Sequence, residues 1–279
     1  MCRFCVEHGE GKRWYLNANN YLCDLSSDAR RREYVIDFIA DFPQMRTRAI
    51  TWAQRLSAVP RPIGDAGRAA ISRHMQTNHF GQPVPIEDCE QILDIATSIT
   101  VIPCICRMNE PGKTAEEVCI LITTQPVEPY VAQGFSGYAD GPDLDDFRSL
   151  TRSEAMDLLR ACERRGLMHS VWTFQTPFAA ALCNCNIKSG CMAMKMTVGF
   201  ETKLMWRGED VAQMDPGACA HCGACVTRCP FGAISKTPRG EVQLLVEECW
   251  GCGICRSACR HGALRLVDRR TVPAVASLW

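Results

Sequence analysis

The feature that most constrains the fold is a cysteine repeat near the carboxyl end of the chain. Residues 219–234 read CAHCGACVTRCPFGAI and residues 249–264 read CWGCGICRSACRHGAL, which align at an offset of 30. Both segments have the spacing C-x2-C-x2-C-x3-C, and a glycine and an alanine coincide beyond the last cysteine. Thiols at such short spacing are typical of metal ligands, and the repeat therefore predicts a module of two similar halves.

This spacing suits a pair of [4Fe–4S] clusters. A tight loop presents three thiolates to three irons, and the fourth cysteine, on the helix that follows, reaches the other cluster. A pair of zinc sites is the alternative, but it would use cysteine pairs separated by a longer loop. The segments resemble those of bacterial two-cluster ferredoxins. That resemblance implies one cluster on Cys219, Cys222, Cys225 and Cys259, and a second on Cys249, Cys252, Cys255 and Cys229.

The chain has nineteen cysteines, and eleven of them lie outside the repeat. Six of these are grouped in the middle of the chain, with two C-x-C pairs among them: Cys104, Cys106, Cys119, Cys183, Cys185 and Cys191. Both thiols of a C-x-C in a strand face the same side, because side chains alternate along a strand. The pattern predicts a third iron–sulfur cluster. Cys183, Cys185 and Cys191 are the first choices, completed by Cys104 or Cys106; buried free cysteines are the alternative.

A further group of candidate metal ligands lies near the N-terminus: Cys2, Cys5, His8 and Cys23. Covalent haem attachment is excluded because it requires histidine directly after the second cysteine, where this chain has Val6. Zinc, a further cluster and a free dithiol all remain open.

Composition excludes several classes of protein. Thirty-one basic residues balance thirty-one acidic ones, and no terminal block of like charge is present, so we expect no nucleic-acid partner. The longest apolar runs are far shorter than the roughly 20 residues that span a bilayer. The N-terminus lacks the apolar core of a secretory signal, and we therefore expect a cytoplasmic protein without a membrane span. In a reducing compartment, clustered cysteines favour metal binding over disulfides.

The pattern of apolar residues predicts an α+β fold in three parts. Residues 1–100 form a largely helical region, with two helices within 26–57 and a third at 85–98. Residues 101–205 form an α+β domain that carries the C-x-C pairs, with short strands at 101–106 and 118–123. Within it, Thr151 and Glu154 have the spacing of a capping box at the start of a helix, and Gly166 is placed to end it. Residues 206–279 form the ferredoxin module.

Segments upstream of the module resemble a second group of proteins. They are residues 2–12 (CRFCVEHGEGK), 103–107 (PCICR), 169–174 (HSVWTF) and 182–185 (LCNC). They are similar to poorly characterised ferredoxin-domain iron–sulfur proteins of anaerobic bacteria and archaea. The resemblance implies that the C-x-C groups belong to a shared architecture and that the protein serves anaerobic metabolism.

Together these features indicate an electron-transfer protein, or an electron-transfer subunit, that exchanges single electrons with a partner oxidoreductase. The sequence contains no dinucleotide fingerprint and no phosphate-binding loop. The alternative is an oxidoreductase, or a subunit of one, with a substrate site at a third cluster within residues 100–200. A redox or iron sensor is disfavoured because no basic DNA-reading segment is present. No catalytic residue is assigned.

The two halves of the repeat differ at one position that affects electrostatics. Pro230 follows Cys229, whereas Arg260 follows Cys259. A cation beside one cluster stabilises its reduced form, so we expect the two midpoint potentials to differ. We expect Arg260→Gln to lower one midpoint in a potentiometric titration and leave the other in place. Identical midpoints in the unmodified protein would contradict this prediction.

Overall fold

The computed structural model describes residues 2–21, 29–124, 126–139 and 141–279. Its fold is α+β, as the sequence predicts. The α-helices are α1 (Arg3–His8), α2 (Ala29–Ala40), α3 (Phe42–Ala58), α4 (Arg61–Asn78), α5 (Ile86–Ile95), α6 (Ile105–Met108), α7 (Glu128–Phe135), α8 (Arg152–Arg164), α9 (Met192–Met194), α10 (Ala224–Arg228) and α11 (Ile254–Ser257). The strands are β1 (Gly81–Val84), β2 (Ser98–Pro103), β3 (Glu117–Thr123), β4 (Arg148–Ser149), β5 (Met168–Thr173), β6 (Ala179–Cys185), β7 (Asp210–Met214), β8 (Ile234–Lys236), β9 (Val242–Leu244) and β10 (Leu264–Asp268).

Short tight helices connect many of these elements. The 3-10 turns are Trp14–Leu16, Ala18–Tyr21, Leu144–Asp146, Ile187–Ser189, Val246–Glu248 and Arg269–Thr271. A π-helix, Lys195–Gly199, continues directly from α9.

Six antiparallel strands form the central sheet in the order β1-β5-β6-β3-β2-β4. β3 carries a run of valine, isoleucine and leucine, and both β3 and β5 are buried along nearly their whole length, as in a sheet covered on both faces. The first strand comes from residues 81–84, on the N-terminal side of the boundary predicted at residue 100. The three-part division of the chain stays a prediction.

Each face of the sheet packs against its own layer of helices. One face, with Ile120 and Leu182, packs against α1, the turns that follow α1, α5 and α8. The other face, with Cys119 and Cys185, packs against α2, α7 and residues 191–205. The period-2 alternation of a strand therefore sends the cysteines of β3 and β6 into one of these two layers.

The C-terminal module has its own small core between two strand pairs. β7 pairs with β10 and β8 pairs with β9, both antiparallel. α10 lies within the first half of the cysteine repeat and α11 within the second. The module is fastened to the sheet domain by Arg256 of α11, whose guanidinium donates to both carboxylate oxygens of Glu87 at 2.6 and 2.8 Å.

Several local predictions are confirmed, and two features differ from expectation. Thr151 and Glu154 form the predicted capping box, and Gly166 has φ +82° just beyond the end of α8. The sequence reading missed α4, whose apolar residues are few because it lies mostly exposed. The strand expected at 101–106 is wrong beyond Pro103, because Cys104 caps α6 and Cys106 lies inside that helix. Within the described residues, no helix has the length and apolarity needed to cross a bilayer.

His79, which follows α4, supplies a pH-dependent contribution to stability. Its ring packs between Phe38, Trp172 and Phe174, with centroids 4.4 to 5.1 Å away, and Nδ1 donates to the carbonyl oxygen of Thr173. Burial lowers the pKa of His79 to about 4. Because the unfolded chain binds this proton near pH 6.5, stability falls as the pH drops from about 6.5 towards 4.

We expect His79→Gln to remove this dependence and keep an N–H donor for Thr173. Between pH 8 and pH 5 the unmodified protein should lose about 2 kcal/mol more stability than the variant. Urea unfolding of both holoproteins at several pH values measures the difference. Parallel pH profiles would contradict the prediction.

Candidate iron–sulfur sites

The first set of repeat cysteines surrounds one cavity. Cys219, Cys222, Cys225 and Cys259 all line it, and it has an empty volume of about 320 Å³. The set lies near the surface, because Cys222 is exposed and only Cys225 is buried. The chain thus brings together the four thiols that the ferredoxin resemblance assigns to one cluster.

The second set surrounds a separate cavity of about 310 Å³, lined by Cys229, Cys249, Cys252 and Cys255. Three of these cysteines are buried and Cys229 is half-buried. The backbone N–H of Ala212 in β7 donates to the sulfur of Cys249 at 3.3 Å. Burial raises the pKa of Cys255 to about 12. Thiolates in this cavity therefore need a positively charged partner, which iron would supply.

Glycines begin the helices that follow each loop. Gly223 caps α10 with φ +83°, and Gly253 caps α11 with φ +76°. This left-handed conformation disfavours any residue with a Cβ, and it turns the backbone tightly around the cavity. A Cβ at Gly223 would lie 2.6 Å from Cε of Lys236. The donor set, the cavities and the loop geometry all fit a [4Fe–4S] cluster in each cavity. The individual ligand assignments stay predictions.

The six cysteines of the central group converge on one layer of the molecule. They lie in the core on one face of the sheet, four of them buried and two, Cys106 and Cys183, half-buried. Cys119 and Cys183 are direct cross-strand partners, and Cys185 follows on the same face of β6. Although Cys104 and Cys106 are not in a strand, α6 places them beside this face.

Within this group, the strongest influence on several thiols is another thiol. Interaction with Cys106 and then Cys119 lowers the pKa of Cys104, and interaction with Cys185 lowers that of Cys191. The pKa of Cys119 is raised by its interactions with Cys104 and Cys183. The six thiols therefore form a connected group, which fits a shared metal centre.

Backbone N–H groups also face these sulfurs. The N–H of Arg107 in α6 interacts with Cys104, and those of Met194 and Ala193 in α9 interact with Cys191. Both cysteines are N-cap residues, so their side chains lie beside the first N–H groups of a helix; that of Arg107 also donates to the carbonyl oxygen of Cys104, at 3.1 Å. Hydrogen bonds of this kind stabilise thiolates and tune the potential of a cluster that they hold.

The N-terminal candidates are only partly brought together. Cys2 and Cys5 are buried, with their sulfurs 3.5 Å apart. His8 is not part of this group; its Nε2 lies 3.9 Å from the carboxylate of Glu7 instead. Cys23 lies outside the described residues. The side chain that completes the group is Glu209, which sequence reasoning missed because it is about two hundred residues away in the chain.

Comparison with known proteins supports the prediction for the C-terminal module and for no other part of the chain. Residues 218–264 match the family model of 4Fe-4S dicluster domains, so the chain carries such a domain at its C-terminal end. No curated protein matches the chain. The whole-chain resemblance to ferredoxin-domain proteins of anaerobes stays a prediction.

Iron counting tests whether the central group holds a third cluster. Each [4Fe–4S] cluster contains four irons, so we expect about twelve irons and twelve sulfides per chain after anaerobic purification. The double variant Cys183→Ser, Cys185→Ser should retain about eight irons, because it removes two donors from the central group.

The matched control is Cys89→Ala, which removes a buried cysteine on the opposite face of the sheet and should leave the iron content unchanged. About eight irons per chain in the unmodified protein would contradict the third cluster.

Proposed function

We propose that this protein relays single electrons between a partner oxidoreductase and a centre on the six central cysteines. The 4Fe-4S dicluster domain supports iron–sulfur electron transfer. The observation that carries the finer proposal is the graded burial of the three cysteine groups. The first repeat set reaches the surface, the second is mostly buried, and one of its members, Cys252, lies in the same core as the central group.

The exposed first set of cysteines lies beside a basic groove. A groove with an empty volume of about 1250 Å³ runs between α8 and the module, and exposed Cys222 lies in its wall. Arg164, Arg228 and Arg260 line the groove together with His261. None of these arginines forms a salt bridge in the described part of the chain; Arg228 donates to the carbonyl oxygen of Arg164. Among the described residues, Glu163 is the one acidic side chain that lines the groove, a single negative charge against three positive ones.

This charge balance favours a partner with an acidic surface. Complementary charge steers encounter and raises the association rate, with a strong dependence on ionic strength. A partner held here would lie against the exposed sulfur of the first set. We therefore assign the groove to the docking of an acidic redox protein.

The inner part of the path is a continuous apolar core. Cys252 of the second set belongs to the same core as Cys104, Cys119, Cys185 and Cys191. The rings of Phe231 and Trp250 stack with centroids 4.7 Å apart and pack against that core. Both rings also line the cavity of the second set.

Clusters bound at these sites would supply one-electron couples at each step. The protein's own contribution is to hold the thiolates in a fixed arrangement and to direct N–H groups at them, as Ala212 does at Cys249. The atoms of such a preorganised site move little when a cluster gains or loses an electron, and this small rearrangement favours fast electron transfer. No proton transfer by a side chain is required.

The basic groove is tested with two small reductants of opposite charge. Arg164→Gln with Arg228→Gln removes two positive charges and leaves Arg260, next to Cys259, in place. At low ionic strength we expect reduction by the anionic radical from dithionite to slow at least about threefold. Reduction by the methyl viologen radical cation should be unchanged or faster. Stopped-flow bleaching of the cluster absorbance measures both rates.

The control pair is Arg48→Gln with Arg55→Gln on exposed positions of α3, which do not line the groove. It removes the same charge and should leave both rates unchanged. High salt should abolish the effect in the groove variant because it screens exposed charges. Equal slowing with both reductants, or an equal effect in the control pair, would contradict an electrostatic entry site.

A further inference from the structure

The side chains of Cys2, Cys5 and Glu209 form a buried cluster apart from the iron–sulfur sites described above. Cys2 precedes α1, Cys5 lies within it, and Glu209 immediately precedes β7. Their ligand atoms lie within 4.8 Å of one another, and the three residues are 3%, 0% and 4% exposed. We propose that these three side chains bind a single Zn²⁺ ion.

The spacing of the donor atoms fits one ion of this kind. The sulfurs of Cys2 and Cys5 are 3.5 Å apart, and the sulfur of Cys5 is 3.0 Å from Oε1 of Glu209. Two thiolates bound at about 2.3 Å to tetrahedral zinc lie about 3.8 Å apart, close to the observed separation. The two thiolates and one carboxylate are donors that zinc commonly uses.

The charges around the cluster also favour a cation at its centre. Three acidic groups lie together in the interior, where an uncompensated negative charge is costly. Within the described residues neither neighbouring arginine forms an ion pair with Glu209, although the charge of Arg269 interacts with it and offsets part of the negative charge. Arg13 bonds to Asp88 and Asp210, and Arg269 donates to the carbonyl oxygens of Gly208, Asp210 and Cys249. Glu209 forms no salt bridge within the described residues, so a bound ion would supply the missing positive charge.

N–H groups of Trp14 and Gln82 lie next to the three candidate ligands. The backbone N–H of Trp14 donates to the sulfur of Cys5 at 3.3 Å. The amide nitrogen of Gln82 donates to the carbonyl oxygen of Arg207 at 2.7 Å and also lies 3.5 Å from Oε1 of Glu209 and 4.0 Å from the sulfur of Cys2. The indole N–H of Trp14 fixes this orientation by donating to Oε1 of Gln82 at 2.6 Å. Donors that face a thiolate or carboxylate orient it as a metal ligand.

The position of the site gives the ion a structural role. It would join α1 to the segment that leads into β7, the strand whose Ala212 N–H bonds to Cys249. The carbonyl oxygen of Glu209 also accepts from the backbone N–H of Arg269, at 2.9 Å. Zinc would thus fasten the N-terminal end of the chain to the edge of the module. Three protein ligands leave one coordination position for a further donor.

Metal analysis of the anaerobically purified holoprotein tests the proposal. We expect about one zinc per chain in addition to the cluster iron. Cys5→Ser and Glu209→Gln should each lower zinc retention at least about tenfold in competition with a chelator. Iron content and cluster absorbance should stay unchanged, which shows that the variant is folded and that the iron–sulfur sites are intact.

The control is His8→Gln. The sequence pattern made His8 a candidate metal ligand, but the structure places it outside the group of Cys2, Cys5 and Glu209. It should retain zinc as the unmodified protein does. Three outcomes would overturn the proposal. They are an unmodified protein that contains no zinc when the cells are grown with zinc, a zinc content that neither substitution lowers, or a disulfide between Cys2 and Cys5. Loss of about four irons per chain in Cys5→Ser would identify a cluster instead.

Discussion

The cost of burying thiolate sulfur is the physical constraint on which the rest of this structure depends. An ionised thiol in a dry interior is unfavourable unless a metal or hydrogen-bond donors share its charge. The chain meets this requirement by grouping its cysteines and by directing backbone N–H groups at individual sulfurs, as at Cys104, Cys191 and Cys249. One face of the sheet, the short helices α6 and α9 and the repeated loop all bring thiols together in this way.

The three cysteine groups differ in how deeply they are buried, and this order defines an outer and an inner end of the proposed electron path. Exposed Cys222 lies in a basic groove, whereas Cys252 lies in a core that also contains the central cysteines. A free ferredoxin needs only its own small core. Here Arg256 and Glu87 also link the module to the sheet domain, and Cys252 of the second set packs in the core of that domain. Part of the module therefore packs into the interior of the sheet domain.

Much of this could be predicted from sequence where the signal is local. The cysteine spacing predicted the two loops, and Thr151 with Glu154 predicted the start of α8, because both depend on residues a few positions apart. Prediction failed at Cys106, where a strand pattern continued past the residue at which a helix begins. It also failed at Glu209, since nothing close in the sequence marks a glutamate as a neighbour of Cys2 and Cys5.

The sequence by itself determined which thiols lie together within each half of the repeat, and that Cys183 and Cys185 share one face wherever their segment is a strand. Both follow from covalent spacing and the period of a strand. Only the tertiary structure decided that Cys104, Cys119 and Cys191 meet that face, that the first set is exposed and the second buried, and that Glu209 joins the N-terminal cysteines. These relations depend on which strands pair and which surfaces are covered, and long-range packing sets both.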